Sequence, residues 1–248
     1  MFFEGAVFLH NGCRRPNNED NFLLGGSYRK NVQENIVSCE KENLGSKFTV
    51  AVFDGAGGAD CGERASYIAA KVIDEIPDDC ESEEEFKRNI ERLNRIIVNE
   101  MDVANMTMGS TLAVLHINDG KASIYNLGDT RVYLYRDGKL LQISYDHIPD
   151  DSQKSHVLTK YLGLRSLKHN DVYVMHNIQV KENDLFMICS DGVYNALQYD
   201  IICDNISKLF NKSPMEIARK LIAEALLVGA TDNVTCMIIR EKRKDYGY

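Results

Sequence analysis

The sequence predicts an α+β fold in which two antiparallel sheets are covered by helices. Two hairpins and two capped amphipathic helices carry that prediction. Asn118-Asp119-Gly120 separates TLAVLHI from KASIYNL, and Asp137-Gly138 separates RVYLYR from KLLQIS. Both connections have the residues that tight hairpin turns require, so the middle of the chain is an antiparallel meander. Strand-like runs fall at residues 5–10, 21–25, 48–53, 111–117, 122–127, 131–136, 139–143, 171–176, 184–190 and 234–239. A helix is expected over residues 62–76. A second, residues 83–104, follows Ser82 with Glu85 three places on, and Phe86, Ile90, Leu93, Ile97 and Met101 form its apolar stripe. A third, residues 214–228, opens Ser213-Pro214-Met215-Glu216 and stops at Gly229, which has the chemistry of a helix terminator.

No repeat, low-complexity tract or Pro/Gly/Ser-rich linker divides the 248 residues, so one domain over 1–248 is expected, with 241–248 as a frayed tail. Two polar stretches, 27–47 and 148–157, read as solvated surface excursions, with substrate or partner contact as the alternative.

Composition limits function. With 29 Lys+Arg against 37 Asp+Glu, the net charge of −8 argues against a general nucleic-acid or anionic-membrane binder. The longest apolar stretches, of about six residues, fall far short of the roughly 20 that span a bilayer. The first residues lack the basic and apolar regions of a signal peptide. Seven dispersed cysteines, several of them in apolar runs, fit buried thiols in a reducing cytoplasm better than disulfides or zinc. A cytoplasmic monomer is expected.

The chemistry lies in carboxylates at strand ends. FTVAVF runs into Asp54-Gly55-Ala56-Gly57-Gly58, LFMICS runs into Asp191-Gly192, and Asp232-Asn233 opens VTCMII. Asp20 leads into NFLL, and Asp129 sits between two strands in NLGDTR. Taken singly, each Asp-Gly is a common turn pair. Asp54 and Asp191 differ because they end unbroken apolar runs, which places them at buried strand ends. If several such acids converge they need cations: two unit charges about 4 Å apart repel by roughly 4 kcal/mol at an effective dielectric of about 20. Oxygen-only ligation without a Cys/His cluster points to Mg²⁺ or Mn²⁺. The glycines after Asp54 allow close backbone approach, which makes the Gly55 carbonyl a further candidate ligand.

In chain order, the segments Arg15 to Asp20 (R-x-NNED), VFDGAGG (52–58), GST (109–111), NLGDTR (126–131), YDH (145–147), VLTKYLG (157–163), CSDGV (189–193) and TDNVT (231–235) resemble the metal-dependent serine/threonine protein phosphatases of type 2C. The likeness is strongest to the single-domain bacterial members and runs from about residue 12 to 239. It implies a four-layer α-β-β-α sandwich with helices on both outer faces. It also implies that Asp54 bridges two metal ions with the Gly55 carbonyl on one, and that Asp191 and Asp232 hold the second. Asp20 and Glu19 would act directly or through water. Arg15 would grip the phosphate, and Asp129 would bind a third, weaker ion together with Asp191. By the same resemblance, a water shared by two Mn²⁺ or Mg²⁺ ions attacks phosphorus in line with no phospho-enzyme. The substrates would be phosphoserine or phosphothreonine proteins made by a serine/threonine kinase. Two divalent ions would neutralise Asp20, Asp54, Asp191 and Asp232, so an acidic protein could accept a phosphate dianion only when loaded.

Two departures stand out. Relatives carry His or Met where this chain has Ala56, so no acid stands there; His147 and His156 are the nearest substitutes, and a structural role is favoured for both. The segment between His147 and Val157 is shorter than the usual flap. His10, His116, His169 and His176 are read as structural. Two other readings compete. A haloacid-dehalogenase-like phosphatase needs a second Asp where Ala56 stands and a parallel sheet, which the hairpins oppose. A catalytically weak phosphoprotein-binding domain would be expected to have lost acids that are present here.

Overall fold

A computed structural model describes residues 2–56, 61–80, 82–149 and 157–241. The chain opens with β1 (Phe3–His10), β2 (Asn21–Leu24), β3 (Ile36–Lys41), β4 (Lys47–Phe53) and the two-residue β5 (Gly55–Ala56). Helices α1 (Gly62–Asp74) and α2 (Glu83–Ala104) follow. Next come the short β6 (Gly109–Ser110) and the strands β7 (Leu112–Asn118), β8 (Lys121–Leu127), β9 (Arg131–Arg136) and β10 (Lys139–Gln142). Strands β11 (Tyr173–Gln179) and β12 (Leu185–Cys189) lead to α3 (Asp191–Tyr194), α4 (Tyr199–Lys208), α5 (Pro214–Leu227) and β13 (Val234–Glu241).

The strands build one sheet in the order β10-β9-β12-β13-β1-β3 and another in the order β11-β8-β7-β4-β2, with β5 and β6 paired apart. All pairings are antiparallel. The two hairpins are as expected: Asp119 and Gly120 have φ of 45° and 83°, and Asp137 and Gly138 have 52° and 75°. Positive φ at both central residues is the turn whose twist matches that of the flanking strands.

The sheets face each other across Phe3, Val7, Phe22, Val50, Leu115 and Phe186. Helices α1 and α2 cover the outer face of the five-stranded sheet through Ala69, Ile73, Phe86, Ile90 and Leu93. Helices α4 and α5 cover the six-stranded sheet through Ile202, Ile206, Ile217 and Leu221. The result is the four-layer α-β-β-α sandwich. It explains why the inner strands read as continuous apolar runs instead of alternating. In β7, Leu112 and Val114 face the helices while Ala113, Leu115 and Ile117 face the opposing sheet. Each fully buried Leu, Ile or Val gains about 1.5–3 kcal/mol, so both faces select apolar residues.

The helix ends follow their sequence signals. Ser82 caps α2 by accepting from the Glu85 N–H, and Ser213 and Glu216 form a reciprocal capping box on α5. Gly229, at φ 83°, ends α5, with Gly229 N–H bonded to Leu226 O and Ala230 N–H to Ala225 O.

Three expectations change. The stretch 27–47 is more than a solvated excursion. Its residues 36–41 form β3, which pairs with β1, and Arg29 is 2% exposed. The alternating exposure of β3 belongs to an edge strand, whose polar side chains hid it from an apolar-run criterion. Helix α4 was missed because only Ile202 and Ile206 mark its buried face. Glu241, expected in a frayed tail, pairs with Phe3 at the end of β13, while 242–248 lie outside the described residues.

Candidate active site

Sheet register gathers the acids. Asn21 pairs with Phe53, so Asp20, entering β2, and Asp54, leaving β4, lie at the same end of the five-stranded sheet. Cys189 pairs with both Cys236 and Arg131. Asp191, just past β12, therefore sits near Asp232, which precedes β13, and near Asp129, which precedes β9. Two strand ends from the five-stranded sheet and three from the six-stranded sheet open on one crevice.

The electrostatics show how closely these groups interact. Burial, followed by the charges of Asp20, Asp191, Asp129 and Asp232, raises the Asp54 carboxyl well above the usual carboxylate range. Burial, then Asp129, Asp232 and Asp20, pushes Asp191 up to about 8. Burial raises Asp20 to about 6, against the lowering effect of two hydroxyl donors, Thr235 and Ser190. Glu19 rises to about 7 through burial and then Glu63, and burial also raises Asp129. Carboxyls whose pKa values are raised together in one cleft mark it as a candidate functional site on physical grounds.

Specific bonds orient each acid. Asp20 Oδ2 accepts from Ser190 Oγ at 2.8 Å and Thr235 Oγ1 at 2.5 Å, while its buried Oδ1 has no partner. Asn195 Nδ2 donates to Asp191 Oδ2 at 3.1 Å. Asp232 Oδ1 accepts from the Asn233 N–H, and its Oδ2 accepts from Arg15 Nη2 at 2.8 Å. The Asp54 N–H donates to Thr111 Oγ1 at 2.9 Å, and the Thr111 N–H returns a bond to Asp54 O at 2.8 Å. Asn233 ties the Arg15–Asp20 segment to this end of the sheet. Its Oδ1 accepts from the Glu19 N–H, and its Nδ2 donates to Asn11 O and Asn17 O. On the Asp129 side, Tyr194 Oη donates to Asp129 O at 2.9 Å. Arg131 Nη2 and Nε bond Asp146 Oδ2 at 2.7 and 2.9 Å, with the guanidinium 3.6 Å from the Tyr194 ring centre.

Close backbone approach is built in. A Cβ on Gly12, at φ 76°, would lie 2.0 Å from Asp232 O. One on Gly55 would lie 2.3 Å from Gly62 O and 2.5 Å from Glu19 O. Only glycine lets these chains meet.

Reading the sequence for acids located the charged groups and missed what holds them: Thr111, Ser190, Thr235 and Asn233. All four lie inside matched motifs, so the signal was present but was read only for charge. His147 is buried and bonded to Gly128 O through its backbone and its ring Nδ1, and burial lowers its pKa. It is placed as a structural residue. Ala56 is exposed, while Gly57, Gly58 and His156 lie outside the described residues.

The donors suit a hard divalent cation in kind: all are oxygens, they repel one another, and Asp20 Oδ1 is buried without a partner. Among the described residues, no group of three or more His, Cys, Asp or Glu side chains is arranged to hold a metal ion. Arg15 occupies one oxygen of Asp232, and two hydroxyls occupy one of Asp20.

Residues 35–227 match the family model described as protein phosphatase 2C, a span that includes Asp54, Asp129 and Asp191. The serine/threonine phosphatase stp of Listeria welshimeri is 26% identical, covering 95% of each chain. The solved structure of PppA, a regulatory component of T6SS in Pseudomonas aeruginosa, superposes with a TM-score of 0.79. It is 25% identical and covers 97% of this chain and 98% of its own. The catalytic domain of PstP, solved with two manganese ions, gives a TM-score of 0.76 at 22% identity, over 96% of this chain and 97% of its own. With sandwich, crevice and motifs in agreement, the chain belongs to the protein phosphatase 2C family and is a phosphatase.

Proposed function

We propose that the chain hydrolyses phosphoserine and phosphothreonine in proteins, reversing a serine/threonine kinase, with Mn²⁺ or Mg²⁺ as cofactor. The observation that carries this is the burial of Asp54 within the combined field of Asp20, Asp129, Asp191 and Asp232. The stp relative, named a serine/threonine phosphatase, and the manganese-bound PstP domain support it.

In this reading Asp54, the Gly55 carbonyl, Asp191, Asp232, Asp20 and Glu19 hold two ions, and Asp129 with Asp191 holds a third. Bound ions would supply Lewis acidity and would lower the pKa of a bound water from about 15.7 towards neutrality. The chain's own residues do the rest. Arg15, at the exposed rim, exchanges Asp232 for a substrate phosphoryl oxygen and stabilises the charge that builds there. Ser190 and Thr235 both bond Asp20 Oδ2, which leaves its Oδ1 as the oxygen that would ligate. Thr111 fixes the backbone on both sides of the Asp54 peptide. Ala56 offers no proton to the leaving serine or threonine oxygen.

The test is hydrolysis of phosphoserine and phosphothreonine peptides with titrated Mn²⁺, Mg²⁺ and EDTA. Phosphate release that needs metal and disappears in Asp191→Ala is expected. Release that survives both EDTA and Asp191→Ala overturns the reading. Metal-dependent peptide capture without phosphate release would favour a phosphoprotein-binding module.

A further inference from the structure

Arg29 is the unexpected residue in this fold. It belongs to a stretch whose composition reads as solvated surface, yet it is 2% exposed. Desolvating a guanidinium costs several kcal/mol, so its position needs a compensating role. Its bonds go to main-chain carbonyls: Nη2 to Asn18 O at 2.7 Å and Nη1 to Glu34 O at 2.9 Å and Val32 O at 3.5 Å. Its own backbone is held by Asn21, whose Oδ1 accepts from the Arg29 N–H and whose Nδ2 donates to Arg29 O.

Asn35 completes the arrangement from the far end of the same loop. Its Oδ1 accepts from the Asn18 N–H at 3.0 Å, its O accepts from Asn18 Nδ2 at 3.1 Å, and its Nδ2 donates to Pro16 O at 3.0 Å. The fully buried Asn18 passes the restraint on, because its Oδ1 accepts the Asp20 N–H at 3.0 Å. The loop from Arg29 to Asn35 thus grips Pro16 and Asn18. The gripped segment carries Arg15, Glu19 and Asp20. The Arg29 charge also acts to lower the Asp20 pKa, against the effect of burial.

We propose that Arg29 and Asn35 are positioning residues, and that the 29–35 loop is a polar clamp that sets where Arg15, Glu19 and Asp20 stand for metal and phosphate. The clamp rests on the phosphatase reading above. Groups that orient ligands from behind are typically worth about 10–100-fold in metal affinity. Lys at position 29 keeps the charge but has one nitrogen, so it cannot bridge Asn18 O and Glu34 O as the guanidinium fork does.

The experiment measures Mn²⁺ binding by calorimetry, and kcat and KM on a phosphothreonine peptide, for the full-length wild type, Asn35→Ala and Arg29→Lys. Circular dichroism confirms folding at the assay temperature. Asn35→Ala is expected to bind Mn²⁺ about 10-fold more weakly and to raise KM several-fold, and Arg29→Lys to shift both in the same direction. Asn35 is partly exposed, so this variant decides the matter if Arg29→Lys does not fold. Variants that lose thermal stability yet bind Mn²⁺ within twofold of wild type, with KM unchanged, overturn the clamp alone. A wild type that binds no Mn²⁺ overturns the phosphatase reading together with the clamp.

Discussion

Arg15 Nη2 donates to Asp232 Oδ2 at 2.8 Å, joining the loop after β1 to the residues that lead into β13. The two side chains are 51% and 31% exposed, and pairs this open contribute about 0–1 kcal/mol to stability. The pair is thus easily exchanged for another anion. Arg15→Ala should raise KM for a phosphopeptide by about 10-fold while shifting Tm by no more than about 4 °C. Steady-state kinetics and a melting curve check this, and an unchanged KM would remove Arg15 from phosphate binding.

Metal binding and pH should be linked with a definite sign. Asp20, Glu19 and Asp191 have folded-state pKa values of about 6, 7 and 8, all above their ordinary range. From about pH 4 to pH 8 the folded chain therefore holds more protons than the unfolded one, and these groups make stability fall as pH rises. A cation competes with the same protons, so Mn²⁺ should bind more tightly at pH 8 than at pH 6. Melting curves in EDTA and in Mn²⁺ across this range test both slopes. A Mn²⁺-induced rise in Tm that shrinks towards pH 8 would contradict the linkage.

Asp191→Asn should separate function from stability. At pH 8 in EDTA, where the raised Asp191 carboxyl is about half ionised, it removes roughly half a charge from a repelling group, so Tm should rise, by roughly 2–4 °C per kcal/mol relieved. Metal-dependent phosphate release should fall by on the order of 100-fold or more. A variant less stable than wild type in EDTA at pH 8 would mean that the acids do not repel one another as described.

Gly12→Ala and Gly138→Ala form a matched pair. Both positions have positive φ, but a Cβ on Gly12 meets Asp232 O at 2.0 Å, and one on Gly138 meets nothing within 4 Å. Backbone strain of about 1–3 kcal/mol is common to both. Only Gly12→Ala should also displace Asp232 and reduce Mn²⁺ affinity, measured by calorimetry. Equal metal affinity in the two variants would show that the approach of residue 12 to Asp232 does not position the ligand.

What could be read from the sequence followed local periodicity. The hairpins at Asp119-Gly120 and Asp137-Gly138, the capped helices α2 and α5, and the inner strands all announce themselves within a few residues. Strand β3 and helix α4 did not, because an edge strand and a helix with one narrow buried face carry little apolar signal. The acids of the crevice were identifiable as strand-end residues, while their orienting partners Thr111, Ser190, Thr235 and Asn233 look like ordinary polar residues until the sheets are assembled.

The sequence by itself determined the meander, the flanking helices and the set of acids, since turn chemistry, helix caps and apolar runs act over short distances. Only the tertiary structure decided which acids share a field, because that depends on register between strands distant in sequence and on how the two sheets pack face to face. It also decided that Arg29 is buried. No local pattern encodes the burial of a guanidinium in a polar loop. It follows from where the carbonyls of Asn18 and Glu34 come to rest.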